Sequence, residues 1–313
     1  MNNEDKSTNG WRLSRKLPFL EQRSEIMAII RRFFSDRNFL EVETPCRIPA
    51  PAPETHIDAV PSGEWFLQTS PELCMKRLLA AGYPKIFQIC KCFREGERGN
   101  LHLPEFTMLE WYEVGADCGS LMMECEALVR FLAASLSIEE KISWKGAAIS
   151  LGIPWERMTV AEGFVRYSPL PLDEALRDHC FDEMLAIHVE PHLGLGKPLF
   201  LYDYPASLTS LAKVRSDDHT WAERFELYAS GVELANGFSE LIDPQEQRER
   251  FLKEIGCRRS LGKAIYPLPE PFLNDLSLMP DCAGIALGLD RLVMLFTGAS
   301  RIDDVVSFTP GTL

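Results

Sequence analysis

The sequence predicts an α+β fold built around an antiparallel sheet. Strand-patterned runs return on themselves twice: 86–94 with 105–114, and 224–229 with 232–238. The second pair flanks Ser230-Gly231, a two-residue hairpin signal. Between these pairs lie runs with one apolar stripe at helical spacing. Neither G-x-G-x-x-G after a strand nor G-x-x-x-x-G-K occurs, so no Rossmann or P-loop nucleotide site is expected.

Each element has its own signal. Residues 1–15 read as a disordered lead. From Leu20 to Asn38, Ile26, Ile29, Ile30, Phe33 and Phe34 recur at helical spacing. Phe39 to Thr44 alternates like a strand, and Pro45 ends it. The proline-rich 45–63 reads as an ordered loop, and Trp65 to Gln68 as a short strand. Thr69-Ser70-Pro71-Glu72 opens a helix with a hydroxyl cap, a proline and an acid, and Gly82 stops it. Strands follow at 86–94 and 105–114, then a helix over 119–136. Residues 137–200 carry weaker patterns, with a helix expected over 173–189 and a strand over 198–204. Beyond the second hairpin, Asp243-Pro244 opens a helix to about Gly256; a strand at 283–288 and a helix at 290–296 close the chain. No linker marks a second domain, so 16–313 is expected to form one.

Composition narrows the function. The 313 residues carry a net charge of −13, with 46% hydrophobic and 25% charged residues, an ordinary globular balance. That acidity argues against a dedicated nucleic-acid binder, whose affinity comes largely from Lys and Arg on phosphates. The nine cysteines have no metal-binding spacing, and Cys90-Lys91-Cys92 would make a poor tetrahedral clamp. The polar N-terminus is no secretory signal and no apolar run is long enough to span a membrane. A cytoplasmic location is expected.

Four groups of residues carry chemistry. In the first hairpin, period 2 puts Gln88, Cys90, Cys92 and Arg94 on one face, and Phe106, Met108, Glu110 and Tyr112 on one face of the returning strand. Arg94 offers paired donors suited to a phosphate or carboxylate, and an aromatic ring beside it would stack a purine. The plainer alternative is a surface ion pair and a core aromatic. In the second hairpin, a Ser230-Gly231 turn sets Tyr228 opposite Glu233, with Glu226 diagonal to Glu233 on the same face. Two facing carboxylates repel unless a cation lies between them, and Mg²⁺ beside nucleotide phosphates fits; a solvated acidic face is the alternative. Strict alternation sends Asn236 and Glu240 to the opposite face unless Gly237 bends the strand. Third, Glu72 at a helix start favours the helix dipole, or, with Glu240 and the Tyr112 hydroxyl, makes a pocket for a cationic side chain. Fourth, small residues at Gly284, Ala286 and Gly288 clear one strand face for a ligand, and Arg291 follows at a helix start. Arg94 and Arg291 together would hold a triphosphate without a glycine-rich loop, pointing to ATP-dependent activation of a carboxylic acid.

These segments resemble the class II aminoacyl-tRNA synthetase catalytic domain, closest to its lysyl branch. The likeness runs from about residue 20 to the end. It rests on Thr69-Ser70-Pro71-Glu72-Leu73, on Glu105-Phe106-Thr107-Met108, on 233–241 and on Gly288-Leu289-Asp290-Arg291. Lysyl-tRNA synthetases carry an N-terminal anticodon-binding barrel, for which this chain has no length. It is therefore similar to the stand-alone elongation factor P lysine (β-lysine) ligase family, as Glu41 to Cys46, Met108 to Tyr112 and Gly284 to Gly288 suggest.

The resemblance implies an antiparallel six-stranded sheet flanked by helices, and a homodimer formed through about Ser24 to Pro45. It implies ATP as substrate with Mg²⁺ on Glu226 and Glu233. Arg94 would bind the α-phosphate and carboxylate, and Phe106 and Arg291 would sandwich adenine. Glu95, Gly96, Glu97, His102, Leu103, Leu234 and Gly288 would complete the ATP site. Ser70, Pro71, Glu72, Tyr112, Asn236, Glu240 and Ala286 would bind lysine or β-lysine. Ala286 stands where lysyl synthetases usually have glycine. Gly96 and Leu103 also depart from the pattern, whereas His102 keeps it. The implied acceptor is a lysine of elongation factor P, not tRNA. Two alternatives stay open here: a truncated synthetase acting on tRNA, and a non-catalytic sensor of amino acid and ATP.

Overall fold

A computed structural model describes residues 13–313, so most of the expected lead lies outside the described residues. Of the remainder, Leu13 and Ser14 have helical backbone. The two expected hairpins lie in one sheet of eight strands, not six. The strands are β1 (Leu40–Glu41), β2 (Arg47–Ile48), β3 (Pro61–Ser62), β4 (Trp65–Leu67), β5 (Lys85–Phe93), β6 (Glu105–Val114), β7 (Lys141–Trp144), β8 (Ala147–Ser150), β9 (Glu156–Thr159), β10 (Leu199–Pro205), β11 (Trp221–Ala229), β12 (Val232–Ser239) and β13 (Cys282–Gly288). The large sheet runs β1-β5-β6-β13-β12-β11-β10-β9. Its six inner strands are antiparallel, and the two extra ones, β1 and β9, are short parallel edges.

The helices are α1 (Leu17–Ser35), α2 (Glu72–Ala80), α3 (Cys118–Ser135), α4 (Val160–Tyr167), α5 (Leu172–Arg177), α6 (Phe181–Met184), α7 (Pro244–Ser260), α8 (Glu270–Asp275) and α9 (Leu289–Thr297). Alternation along the strands sorts the sheet into two faces. The back face, with Phe87, Leu109, Trp111, Phe225, Leu227, Ile285 and Leu287, packs against α1, α3 and α9 in the main core. The front face is covered only at its ends. At one end α2, α7 and α8 pack over Ile86, Tyr112 and Cys282; at the other α4, α5 and α6 pack over Leu199, Leu201 and Tyr228. The middle of the front face stays open as a cleft of about 710 Å³.

The expected 173–189 helix is broken. Arg177 ends α5, His179 takes a φ of +55°, and the chain resumes as α6 before widening into a π turn at Leu185–Val189. Two unexpected elements have clear local causes. Lys145 and Gly146 both adopt positive φ and join β7 to β8 as a tight hairpin. Thr159 and Glu162 form a capping box that starts α4.

Candidate active site

The cleft floor is made by facing residues of five strands. Cys92 pairs with Phe106, Cys90 with Met108 and Gln88 with Glu110; Tyr112 then faces Gly284, Glu110 faces Ala286, and Ala286 faces Asn236. In the acidic hairpin Tyr228 stands opposite Glu233, as expected, and Ser230 and Gly231 both take the positive φ of a tight turn. Alternation then fails. Leu227 pairs with Ala235, leaving Leu234 as an extra residue, and Glu226 faces Asn236. This bulge at Leu234, rather than a bend at Gly237, returns Asn236 to the face of Glu233. Asp203 does the same for β10: its φ is +57° and the ladder slips there, so Tyr204 turns onto the cleft face beside Glu226.

Arg94 and Arg291 line the same cleft. The Arg94 guanidinium lies over Phe106, 5.1 Å from the ring centroid, with Glu97 at 3.7 Å. Its Nε is buried without a hydrogen-bond acceptor, a donor ready for an anion. Arg291 Nη1 donates to the Glu233 carbonyl at 2.7 Å and lies 3.1 Å from its carboxylate, while Nη2 meets His102 Nε2 at 2.6 Å. Burial and then the Arg291 charge lower the His102 pKa, so that ring is a neutral acceptor. Buried Asp290 fixes this end of the cleft by accepting from the Thr107 amide at 2.8 Å and pairing with half-buried Arg23 at 2.6 Å.

Glu226 is already held by three donors: Tyr204 and Tyr228 hydroxyls, each at 2.6 Å, and Arg224 Nη2, also at 2.6 Å. Burial raises its pKa against the pull of Arg224. For Glu233, burial opposes ionisation but Arg291 outweighs it and holds the carboxyl below its ordinary value. Glu190 was not anticipated. Burial, with the charges of Glu226 and Glu233, lifts it to about 7. Mg²⁺ takes one or two carboxylates plus phosphate and water oxygens, and this donor set fits that demand. Among the described residues there is no larger His, Cys, Asp or Glu cluster able to hold a metal.

At the other end the two acids expected to receive a cationic side chain already hold one. Buried Lys76 Nζ lies 2.5 Å from both Glu72 Oε1 and Glu240 Oε2. Glu110 completes the wall, accepting from Ser70 Oγ at 2.6 Å and Tyr112 Oη at 3.0 Å. Burial raises Glu110 to about 8, with Glu72 adding to it, and raises Glu240 to about 8 against Lys76. Burial would lower Lys76, yet Glu240 and Glu72 push it well above its usual value. The ammonium is therefore charged throughout, and the near-neutral titration belongs to Glu110 and Glu240 as a coupled group. Gly284 is needed here for a different reason than expected. A Cβ there would lie 2.1 Å from the Tyr112 ring and 2.7 Å from Glu240, so its space is taken by the protein's own side chains.

Of the other expected residues, Ser70, Glu72, Glu97, His102, Leu103, Leu234, Asn236, Ala286 and Gly288 line the cleft. Pro71, Glu95, Gly96 and Glu240 do not. Pro71 is buried at the start of α2, Glu240 lies beneath the floor, and Glu95 and Gly96 are exposed. The Glu95 amide instead donates to the Asp58 carbonyl at 2.7 Å, tying two loops of the cleft wall together.

Comparison with known proteins gives the family. The family model described as tRNA synthetases class II (D, K and N) matches residues 9–311. The chain is 42% identical to the elongation factor P–(R)-β-lysine ligase of Salmonella arizonae, across 96% of this chain and 98% of the relative. A protein of the same description from Salmonella gallinarum matches with the same identity and coverage.

Proposed function

This chain belongs to the class II tRNA synthetase family, and we propose that it is an ATP-dependent ligase that activates lysine or (R)-β-lysine and passes it to a lysine side chain of elongation factor P. One observation carries the reading. Two arginines 197 positions apart in the chain (Arg94 and Arg291) face one cleft, whose far end is a buried acidic pocket. An anion-binding end joined to a cation-binding end fits an amino acid with a terminal ammonium.

In the first step a carboxylate oxygen of the amino acid attacks the α-phosphorus of ATP. The bond to the β,γ-phosphates breaks, giving an aminoacyl-adenylate and pyrophosphate. Arg94 neutralises the carboxylate and α-phosphate, using the donor that has no acceptor within the protein. Phe106 and Arg291 would flank the adenine. Glu226 and Glu233 would hold Mg²⁺, which neutralises phosphate charge when bound. The neutral hydroxyls of Tyr204 and Tyr228, with Arg224, keep Glu226 aimed at the cleft. In the second step the neutral amine of the acceptor lysine attacks the acyl carbon; an amide forms, AMP leaves, and the amine proton is released.

Substrate positioning would fall to Glu72, Glu110 and Tyr112 on the cleft wall, with Lys76 tying Glu72 to Glu240 beneath the floor. Asn236 and Ala286 shape the floor. ATP–pyrophosphate exchange tests the first step, and exchange dependent on lysine or β-lysine is expected. Intact-mass measurement of elongation factor P incubated with the enzyme, ATP and each amino acid tests the second, with a gain of one lysyl residue expected. Silence with every lysine analogue would remove the reading.

A further inference from the structure

We propose that Cys90 and Cys92 are a modification site: hydrogen peroxide joins them in a reversible disulfide that pulls Arg94 out of place. The bridge is independent of the ligase reading above; the loss of activity that follows from it rests on that reading.

The two cysteines are alternate residues of β5 and share one of its faces with Arg94. Across the ladder they pair with Met108 and Phe106, which line the cleft. Their sulfurs are 3.9 Å apart, in direct contact. The pair is asymmetric. Cys92 is fully buried, whereas Cys90 is only partly so. The Gln68 side-chain amide, anchored on the Lys91 carbonyl at 2.9 Å, points a donor at the Cys90 sulfur from 3.6 Å. An N–H beside a sulfur favours its thiolate. The contact with Cys90, and then burial, hold the Cys92 thiol well above its ordinary pKa, so Cys92 keeps its proton. Cys90 is therefore the sulfur that meets the oxidant, and Cys92 the one that resolves it.

The Cys90 thiolate attacks one peroxide oxygen. The O–O bond breaks, a sulfenic acid forms, and the departing hydroxide takes up the proton lost by Cys90 and becomes water. The Cys92 sulfur then attacks the Cys90 sulfur. An S–S bond forms, the S–O bond breaks, and the second oxygen leaves as water with the Cys92 proton. Two thiols are oxidised and one peroxide is reduced to two waters.

Closing the bond has a mechanical consequence. Alternate Cα atoms of an extended strand lie roughly 6.6 Å apart, near the upper end of what a disulfide spans, and the sulfurs must close to about 2 Å. β5 therefore has to contract at Lys91. The backbone bonds next in line run from the Phe93 amide to the Gln68 carbonyl and from the Arg94 amide to the Pro104 carbonyl, each at 2.9 Å. They hold Arg94 where its guanidinium lies over Phe106, so contraction moves it off that ring.

The test treats the whole protein with hydrogen peroxide, blocks the remaining thiols and digests with trypsin in the absence of reductant. Trypsin cleaves after Lys85, Lys91 and Arg94, so residues 86–91 and 92–94 stay joined only if Cys90 is bridged to Cys92. That joined mass is expected, and dithiothreitol should abolish it. Residues 86–91 joined instead to 38–47 would bridge Cys90 to exposed Cys46, whose sulfur is 3.9 Å from the same Gln68 amide; that result, or no joined peptide, would overturn the pairing. Hydrogen exchange should show the Phe93 and Arg94 amides losing protection in the oxidised protein, and unchanged protection would overturn the displacement of Arg94. Lysine-dependent pyrophosphate exchange should fall about tenfold on oxidation, as expected for losing a charged contact, and return with dithiothreitol. Cys92→Ser, compared with its own reduced rate, should keep its exchange through the same treatment; an equal loss there would put the damage elsewhere and remove the switch. Reduced wild type with no exchange under any amino acid would overturn the ligase reading alone, because the peptide map and hydrogen exchange still decide the bridge and the displacement.

Discussion

At the scale of single residues, the cleft depends on groups that cannot be exchanged for near relatives. Gly284→Ala puts a methyl carbon 2.1 Å from the Tyr112 ring, which is itself buried and bonded to Glu110. Overpacking of this kind costs about 1–3 kcal/mol. Chemical denaturation should show that loss, and KM for lysine should rise as Tyr112 is displaced. Acidity gives a second prediction. Glu110 and Glu240 have pKa values raised to about 8, so they are largely protonated near pH 6 and ionised near pH 9. A substrate ammonium binds the ionised form of Glu110, the one of the two that lines the cleft, so KM for lysine should fall as pH rises through about 7 to 9. Glu110→Gln should flatten that profile; an unchanged profile would contradict the assignment. The stability sign is opposite. In the unfolded chain these acids ionise near 4.5, so the fold loses stability as pH climbs from there toward 8. Residue identity made Arg94, Arg291, Glu226 and Glu233 legible in the sequence, because each lies beside a turn or strand end whose register could be counted. Lys76 was not legible. Lys76 reads as an ordinary i, i+4 partner of Glu72, and its second partner Glu240 lies 164 positions away in the chain.

At the scale of elements, the cleft is shaped by irregularities in otherwise regular strands. The Ser230-Gly231 turn fixes the hairpin register only as far as Glu233; beyond it, the extra residue Leu234 decides which face Asn236 and Glu240 occupy. Its signal was present as two adjacent apolar residues, Leu234 and Ala235, both in the back-face core, where alternation demands one polar. The slip at Asp203 had no such mark, because Tyr202 and Tyr204 read equally well on either face. The break in the expected 173–189 helix was equally hidden, since His179 is not a residue that announces positive φ. The loop between β2 and β3, whose Glu54 to Ile57 line the cleft, makes an element-scale prediction. Arg258 joins the loop to α7 through three hydrogen bonds, to the Glu54 and Ile57 carbonyls and to Asp58, donates a fourth to the Ala264 carbonyl at 2.7 Å, and lies over the Tyr266 ring at 4.2 Å. Replacing it leaves buried carbonyls and Asp58 without their donor. Arg258→Met should cost about 3 kcal/mol or more in urea unfolding, and should raise KM for the amino acid while adenine-nucleotide affinity changes little. Full retention of stability would mean that the loop is held by other contacts.

At the scale of the whole molecule, the expected α+β class and the order of the hairpins hold because each strand pair is local in sequence. Of the two extra strands, β1 falls within the strand expected over 39–44 and only its place in the large sheet was unforeseen, whereas β9 was missed; both pair in parallel with distant partners, and parallel pairing leaves no turn between the two runs to read. One of them, β1, forms an outer edge of the large sheet, and edges with open backbone groups tend to be covered. Leu40 on that edge is 51% exposed, and Leu17 at the start of α1 is 56% exposed. Leu40 lies within, and Leu17 just before, the segment Ser24 to Pro45 that the family likeness assigns to a two-fold contact. A second copy of the chain is the partner these features favour, because a two-fold axis beside the edge lets each copy cover the other with the same residues. Light scattering at micromolar concentration should therefore give twice the 35.5 kDa chain mass. Leu40→Asp places an unpaired charge in that contact and should shift the population toward a single chain mass. A wild-type mass of one chain across the micromolar range would remove the dimer, and the exposed edge would then be protected by its shortness alone.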